Sequence, residues 1–278
     1  MSKISRYALI VLFLSPWGGS VFAQPGDKSP YHLFNPTPVV QMRELIGDRP
    51  DGTESPTTVD AGHIQIETSL IDYSENHFEG TDFEALTTAA TNVRVGLFNN
   101  LELQIVFDVY AHEQTQALGI KQEAEGFSDI TLRPKLNLWG NDSGSSALAI
   151  MPFVKIPTDT ELSNGEIEGG LIIPFGMELT DRVGLGLMAE IDWVYDADHD
   201  DYDTEVIHTA VIGFDATQTI GIYLEYIGVV GPDDYQPFFS GGATLALTEN
   251  LVFDFGAVIG LNDAANDLNI FSGFTVRF

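Results

Sequence analysis

The stretch from Gly126 to Ile156, GFSDITLRPKLNLWGNDSGSSALAIMPFVKI, decides the fold of this chain. Side chains of an extended strand point alternately to its two sides. The first arm of the stretch therefore places Arg133 and Lys135 on one side and Leu132 and Leu136 on the other. One side of this strand is charged and the other is apolar.

The residues between the two arms favour a chain reversal. The interruption from Gly140 to Gly144 collects residues that adopt positive φ or hydrogen-bond to their own backbone. The second arm then returns beside the first, so the stretch is predicted to form an antiparallel β-hairpin.

A membrane explains the two faces of this hairpin better than a soluble core does. An unpaired buried charge costs on the order of several kcal/mol, so a water-soluble sheet seldom turns Arg133 and Lys135 toward a packed interior. Both faces are satisfied if the apolar side meets lipid and the charged side meets a wet lumen. We therefore predict an all-β fold, a transmembrane antiparallel β-barrel.

The N-terminal sequence predicts export. Lys3 and Arg6 precede an apolar run from Tyr7 to Leu14, and small residues follow up to Ala23. Residues 1–23 are thus predicted to be a signal peptide that is removed after Ala23. The remaining sequence has no apolar stretch near the roughly 18 to 20 residues that a spanning helix needs.

The composition excludes several classes of protein. With no cysteine, the chain has no disulfide framework, thiolate nucleophile or sulfur metal site. A formal charge of −29 makes DNA or RNA an implausible partner, because phosphate would be repelled. Hydrophobic residues make up 44% of the chain and 27 residues are glycine, which suits a structured protein rich in strands and turns rather than a solvated tail.

An N-terminal arm is predicted over residues 24–58, which are rich in proline and charge and show no alternation. A short helix is predicted from Pro38 to Ile46, because Thr37 can cap it and Gly47 follows its end. We expect the arm to lie at the periplasmic rim or to fold into the lumen as a plug-like segment.

From Val59 onward the alternation continues to the end of the chain, so the barrel is predicted to occupy residues 59–278. Most of the segments reach the length of about 9 to 11 residues that a tilted spanning strand requires, and bacterial single-chain barrels have an even number of strands. The twelve predicted strands are 59–73, 84–98, 101–112, 127–139, 146–157, 166–179, 183–195, 205–215, 219–229, 238–248, 251–261 and 269–278.

The connections between these strands alternate in kind. Short turns occur at places such as Asn99–Asn100 and Glu249–Asn250, and longer acidic stretches such as Asp196 to Thr204 lie between them. Short periplasmic turns and long outer loops give this rhythm. The last strand ends in the aromatic Phe278, which resembles the signal by which the barrel assembly machinery recognises its substrates.

Period-two counting assigns charged residues to the lumen and leaves the lipid side almost uncharged. An outward Arg or Lys at the bilayer midplane would cost roughly 2 to 4 kcal/mol, so the membrane fold requires this segregation. The predicted lumen-lining residues along a solute pathway are Arg94, Glu102, Asp108, Asp129, Arg133, Lys135, Lys155, Glu190, Glu225, Asp254 and Arg277.

Two interpretations of these lumen residues stay open. They form either a mutually neutralising network that fixes strand register, or a constriction with positive and negative walls that orients a solute. Tyr110, Tyr223 and Phe271 are also counted inward, and aromatic side chains in a polar lumen favour a ring-shaped or apolar cargo.

Neither catalysis nor a cofactor is predicted. The six histidines are scattered, and no GxSxG or HExxH motif accompanies His208, the one histidine well inside a strand. The acidic loop from Asp196 to Asp203 has alternate carboxylates but lacks the glycine turn and distal Glu of an EF-hand. It is interpreted as a solvated loop, with divalent bridging to anionic lipid head groups as the other hypothesis.

The sequence also resembles a known family. The segment from Ile46 to Glu67, IGDRPDGTESPTTVDAGHIQIE, is similar to the DRPD-TESP-TVD-GH-Q-E signature of outer-membrane proteins labelled "MetA-pathway of phenol degradation, putative". The hairpin, the stretch EGGLIIPFGMEL and the ending DLNIFSGFTVRF are similar as well. The resemblance covers nearly the whole chain after the signal peptide. It implies an outer-membrane barrel that admits aromatic or other hydrophobic compounds.

The leading hypothesis is therefore a channel of the cell outer membrane for small, aromatic or hydrophobic solutes, gated by the arm. Its expected partners are outer-membrane lipid and lipopolysaccharide, the assembly machinery and the solute. The alternative is a closed structural or surface-interaction barrel that transports nothing.

Overall fold

The computed structural model describes residues 27–78, 80–197, 199–232 and 234–278. The predicted signal peptide lies outside these residues. Within them the chain forms thirteen β-strands, and no helix there is long and apolar enough to cross a membrane. The strands are β1 Ile64–Phe78, β2 Thr81–Phe98, β3 Leu101–Ala117, β4 Ile120–Gly126, β5 Ile130–Trp139, β6 Ser146–Ile156, β7 Glu168–Thr180, β8 Val183–Asp196, β9 Asp201–Asp215, β10 Ile220–Val230, β11 Tyr235–Thr248, β12 Leu251–Gly260 and β13 Leu268–Arg277.

The strands close into one antiparallel barrel. Each strand pairs with its neighbour along the chain, except that β4 and β5 both pair with β3, and β1 pairs with β13 to close the ring. Strands β4 and β5 share one position, because residues 111–117 of β3 pair with β4 while residues 101–106 pair with β5. The barrel therefore has twelve strand positions, which confirms the predicted fold.

The strand β4 is the main departure from the predicted boundaries. The sequence predicted that the third strand stops at residue 112 and that the next begins at 127. Instead β3 continues to Ala117, and Leu118 and Gly119, both with positive φ, turn the chain into β4. Strand β4 is largely exposed and the β3 residues paired with it are mostly half buried, so they need no apolar alternation and the pattern could not reveal this hairpin.

The two ends of the barrel differ. The turn end is where β1 begins and β13 stops, and it carries the short connections 99–100, 140–145, 181–182, 216–219 and 249–250. The loop end carries the other connections. The predicted long loop from Asp196 to Thr204 is wrong in extent, because β8 and β9 stay paired up to Asp196 and Asp201 and leave only residues 197–200 between them.

The hairpin 126–156 folds as predicted. Its turn depends on Gly140, whose φ is +90° and where a Cβ would lie 2.1 Å from the carbonyl oxygen of Ser146. Arg133 and Lys135 are buried inside the barrel, whereas Leu138 is half exposed on its outer surface.

The rest of the wall follows the same rule. Outward positions are exposed large apolar side chains, such as Ile222 and Leu224 of β10, and the inward residues between them, Tyr223 and Glu225, are buried. An apolar cluster lies inside the barrel on one side of the wall. Its members are Met151, Ile172, Met188, Ile207, Ile227 and Val229, packed against Phe153, Phe238 and Val258.

The N-terminal arm enters the barrel from the turn end. The predicted helix from Pro38 to Ile46 is wrong: only Val39–Gln41 form a short 3-10 turn, and Met42 is already extended. The reason is that Arg43 is held by tertiary contacts: its amide donates to Asp60 of the arm, and its guanidinium donates to Asn99 at the turn between β2 and β3. The first strand begins at Ile64, five residues after the predicted start, because residues 59–63 also belong to this arm.

Candidate functional site

A segment of the arm fills the bore of the barrel. This segment, Gly47 to Thr58 with the sequence GDRPDGTESPTT, is named the plug here. It contains neither helix nor strand, and eleven of its residues are buried, Thr57 being half buried. Because buried backbone groups need partners, the plug must obtain them from side chains of the wall.

The wall supplies those partners. Glu67 accepts the amide hydrogen of Asp48 at 3.1 and 3.0 Å, and Glu225 accepts that of Gly52 at 2.7 Å. A backbone carbonyl of the plug is also bound, because Arg94 donates to the carbonyl oxygen of Thr57 at 2.9 Å. The plug is therefore attached to the wall mostly through side chains rather than through a sheet ladder.

Asp48 and the wall residues bound around it are named the plug base, and Asp48 makes most of its contacts. Its carboxylate accepts two hydrogen bonds of 2.8 Å from Lys135 Nζ and one of 2.8 Å from Gln104, and it lies 3.1 Å from Arg94 Nη1. Arg94 also pairs with Glu102 at 3.0 Å. Burial alone would raise the pKa of Asp48, but Arg94 and Lys135 outweigh it and hold that pKa well below its usual range.

A second ion pair fixes the middle of the plug. Arg49 donates from Nε and Nη2 to the two carboxylate oxygens of Asp254 on β12, at 2.9 and 2.7 Å. Its Nη1 donates to Ser69 Oγ at 2.6 Å, and its guanidinium lies 5.8 Å from the ring centroid of Phe271. This two-pronged geometry is specific to arginine.

The tip of the plug, Asp51 to Glu54, reaches the middle of the bore. Thr53 Oγ1 donates to Glu225 at 2.8 Å and lies 2.5 Å from Thr209 Oγ1 on β9. The Glu54 amide contacts Met188 of the apolar cluster at 3.4 Å.

The tip carries more carboxyl groups than cations. Glu54 accepts a hydrogen bond of 2.6 Å from Arg133, but its second oxygen accepts none from the described residues. Both carboxyl oxygens of Asp51 are also buried without a hydrogen-bond partner in the described part of the chain. Burial, followed by the nearby Glu225, raises the pKa of Asp51 well above its usual range. Burial also raises the pKa of Glu54 to about 7, although Arg133 partly opposes this.

Further ion pairs tie the arm to the turn end. Lys28 Nζ lies 3.0 Å from Asp60 and 2.8 Å from Asp142, and Arg43 Nη1 lies 2.9 Å from the same Asp142. Arg277 donates to the carbonyl oxygen of Arg43 at 2.9 Å. The arm is therefore anchored at the mouth of the barrel as well as inside it.

Comparison with known proteins assigns the family. A family model described as "Putative MetA-pathway of phenol degradation" matches residues 47–278. The chain belongs to this family. The match to the MetA-pathway family begins at Gly47, the first residue of the plug, so it includes the plug together with the barrel. No curated protein matches the chain.

Solved structures are similar in fold. The COG4313 outer membrane channel from Pseudomonas putida F1 has a TM-score of 0.58 at 13% sequence identity, over 83% of this chain and 99% of that chain. The KdgM porin in complex with disordered oligogalacturonate has a TM-score of 0.48 at 10% identity, over 75% of this chain and 98% of that one. The NanC porin has a TM-score of 0.47 at 9% identity, over 74% and 98%. At these identities the likeness concerns the barrel fold alone.

The predicted lumen residues fall into two groups in this member of the MetA-pathway family. Seven of the eleven bind the arm, and six of these lie around the plug, with Glu102 binding the amide of Val59 directly after it: Arg94, Glu102, Arg133, Lys135, Glu225 and Asp254. The seventh is Arg277 at the turn end. The other four, Asp108, Asp129, Lys155 and Glu190, lie on inward positions nearer the loop end and are partly buried.

Among those four, Lys155 forms ion pairs with its inward neighbours. Its Nζ contacts Glu168 of β7 and lies 3.9 Å from Asp129. Asp192 and Glu205, which pair across β8 and β9, add further carboxylates at this level. The interior between the plug and the loop end is therefore predominantly acidic.

Of the aromatic residues counted inward, Tyr223 and Phe271 are buried inside the barrel. Tyr110 is 39% exposed near the loop end, where its hydroxyl donates to Glu125. A small cavity on the loop-end side of the plug is bounded by Pro50 and Phe271 together with Asp72 and Asn269.

His208 lies on the outer surface of β9. Its ring stacks on Tyr235 with centroids 5.9 Å apart, and Nε2 lies 3.2 Å from the Tyr235 hydroxyl. In the described part of the chain no group of three or more His, Asp or Glu is arranged to hold a metal ion. The acidic loop contains Asp198, which lies outside that part, so its divalent-cation hypothesis stays a prediction.

Reasoning from the residues alone did not identify the plug residues as members of the site. Asp48, Arg49, Asp51 and Glu54 belong to a segment without periodicity, and only periodic segments reveal which way a side chain points. The signal that was present is the run DRPDGTESP itself, which is part of the family signature.

Proposed function

We propose that this protein is an outer-membrane channel for small solutes and that the plug is its gate. The observation that carries the proposal is that the plug fills the bore while being attached to it mainly by side-chain contacts. Such a segment can leave without breaking the ladder of the barrel wall. Export by the predicted signal peptide and residence in the outer membrane are parts of this proposal.

The two surfaces of the wall support the membrane location. Leu224 on the outer surface is 55% exposed, while the adjacent Glu225 is 2% exposed. A water-soluble protein would leave a belt of apolar side chains in contact with water, whereas lipid covers such a belt at no cost. The turn end would then face the periplasm, as short turns do in bacterial barrels.

The interior next to the plug supports a solute with an apolar or aromatic part. The apolar cluster around Met188 and Ile207 contacts the tip, and Phe271 and Tyr223 lie beside Arg49 and Glu225. Apolar walls with a few placed polar groups are typical of small-molecule sites. The family description, which refers to phenol degradation, agrees with this solute class.

The second candidate is a closed structural barrel. Complete burial of the plug base favours this candidate, because no water reaches it: Arg94, Lys135 and Glu102 are each 0% exposed. A bore that never empties would need no gate. In both candidates Phe278, at the end of the last strand, is proposed to serve recognition by the assembly machinery.

A reversible lock distinguishes the two candidates. The chain has no cysteine, and the hydroxyl oxygens of Thr53 and Thr209 are 2.5 Å apart. The double variant Thr53→Cys/Thr209→Cys is expected to form a disulfide that holds the tip to β9. Oxidised protein in planar bilayers should show no conductance, and a reductant should restore it.

The two single-cysteine variants are the matched controls, since each alters the same contact without a cross-link. They should conduct under both redox conditions. If the reduced double variant and the wild-type protein both remain sealed to ions and small phenols, the channel is refuted and the structural barrel is favoured.

A further inference from the structure

The plug tip is buried among carboxyl groups that the ion pairs of the barrel do not neutralise. Asp51 is 1% exposed, and its oxygens have no hydrogen-bond partner among the described residues. The amide of the next residue, Gly52, donates to Glu225, so the carboxyl group of Glu225 lies near that of Asp51. Glu54 accepts a hydrogen bond from Arg133 on one oxygen, and its other oxygen accepts none from the described residues.

The groups that face the tip come from several elements. On β5, Arg133 lies 2.6 Å from Glu54, and Lys135 lies 4.0 Å from its other oxygen but is already held by Asp48. On β8, Glu190 lies nearer the loop end but still interacts electrostatically with Glu54. On β10, Glu225 and Tyr223 interact electrostatically with Asp51. Among the described residues around the tip, four carboxyl groups therefore share one cation, Arg133, that is not already bound by a carboxylate of the plug base.

The base of the plug is different. There the carboxylates of Asp48, Glu67 and Glu102 are bound by Arg94, Lys135 and two amide side chains at 2.6 to 3.0 Å. Each of them accepts at least three hydrogen bonds. The base is thus compatible with ionised carboxylates, and the tip is not.

We propose that the tip is a proton-binding switch: with Asp51 and Glu54 protonated the plug stays in the bore, and their ionisation expels the tip. This inference rests on the proposed function, because it assigns a trigger to the same gate. A protonated carboxyl group can be buried beside another carboxyl group, whereas two buried carboxylates repel each other and lose their hydration.

The pKa of Glu54, raised by burial to about 7, gives the direction of the effect. With the tip in water this pKa returns to about 4.3. A group whose pKa is higher in the plugged state stabilises that state by binding a proton. For Glu54 this stabilisation is complete below about pH 4.3 and is lost as the pH rises through about 7. For one carboxyl group the unplugged fraction should increase about tenfold between pH 6 and pH 8.5.

The experiment measures the accessibility of the plug rather than conductance. Ser55→Cys, a buried near-isosteric change next to the tip, is treated with a charged, water-soluble thiol reagent in the full-length protein in detergent. The same reagent on Ser143→Cys, at an exposed turn, corrects for the pH dependence of the thiol itself. We expect the ratio of the two labelling rates to rise about tenfold from pH 6 to pH 8.5.

Neutral variants test which groups are responsible. Asp51→Asn/Glu54→Gln on the Ser55→Cys background should remove the increase, and Glu54→Gln alone should reduce it while preserving the fold, as checked by heat-modifiable gel mobility. Asp181→Asn, at an exposed turn, is the matched control and should leave the increase unchanged.

A ratio that stays constant with pH, or an increase that survives in the double variant, would overturn the switch. Conductance recorded in parallel separates this result from the proposed function. A pH-dependent ratio in a protein that never conducts would refute the channel and retain the switch.

Discussion

The ion pair between Arg49 and Asp254 allows the strength of the plug to be worked out. Both side chains are almost fully buried, and each carboxylate oxygen of Asp254 accepts one hydrogen bond from Arg49, at 2.9 and 2.7 Å. Replacing Arg49 by methionine keeps much of the volume but leaves Asp254 without its cation. Removal of one partner from a buried pair costs about 3 to 5 kcal/mol.

This cost falls on the plugged state alone, because Asp254 is hydrated once the plug has left. Since about 1.4 kcal/mol corresponds to a tenfold change in an equilibrium, Arg49→Met should raise the ratio of unplugged to plugged molecules roughly 140- to 3700-fold. The readouts are the open fraction in planar bilayers and the labelling rate of Ser55→Cys in the same protein.

The double variant Arg49→Met/Asp254→Asn removes both charges and should recover much of the plugged state, because no buried charge is left without a partner. Arg182→Met changes an arginine at an exposed turn and is the matched control. The reasoning is refuted if Arg49→Met labels at the wild-type rate, or if the double variant is as open as the single one.

Three further outcomes are expected. Because the pKa of Asp48 is lowered in the plugged state, ionised Asp48 stabilises that state above about pH 4, and this stabilisation should be lost as the pH falls below that value. The plug should therefore become accessible again in strong acid, which hydrogen exchange of the plug amides would measure. Gly96→Ala places a Cβ 2.1 Å from the backbone of the arm and should release the arm to limited proteolysis, whereas Gly231→Ala meets only ordinary contacts and should not. Leu224→Arg should lower stability in lipid bilayers by roughly 2 to 4 kcal/mol in urea unfolding, while Gln218→Arg at the turn end should have little effect.

The sequence predicts the wall well because a strand has a strict period. Arg133, Lys135 and Asn137 lie two residues apart and therefore share one face of the strand. Because this face is polar, it must turn to the wet lumen, and the apolar face must turn to lipid. The same reasoning fails where water touches both faces. There β3 and β4 continue beyond the predicted boundary with polar residues on each side.

The plug could not be predicted from pattern, for a different reason. The partners of Arg49 and Gly52 are 205 and 173 residues away along the chain, so no local spacing reports them. Proline and glycine in the plug indicate only that it is neither helix nor strand. The prediction that the arm would lie at the rim or enter the lumen followed from composition, and only the structure distinguishes between these positions.

The plug and the barrel wall depend on each other. Without the plug the bore would hold empty space and unpaired charges, and without the wall the charges of the plug would have no partners. About eight strands give a barrel that its own side chains can fill, so twelve leave space that something else must occupy. If the plug were permanent, apolar residues could fill that space without any desolvated charge. Instead Asp48 and Arg49 hold it through ion pairs, which water would replace on opening of the proposed gate. A filling made of charges is stable inside the bore and also soluble outside it, which is what a removable gate requires.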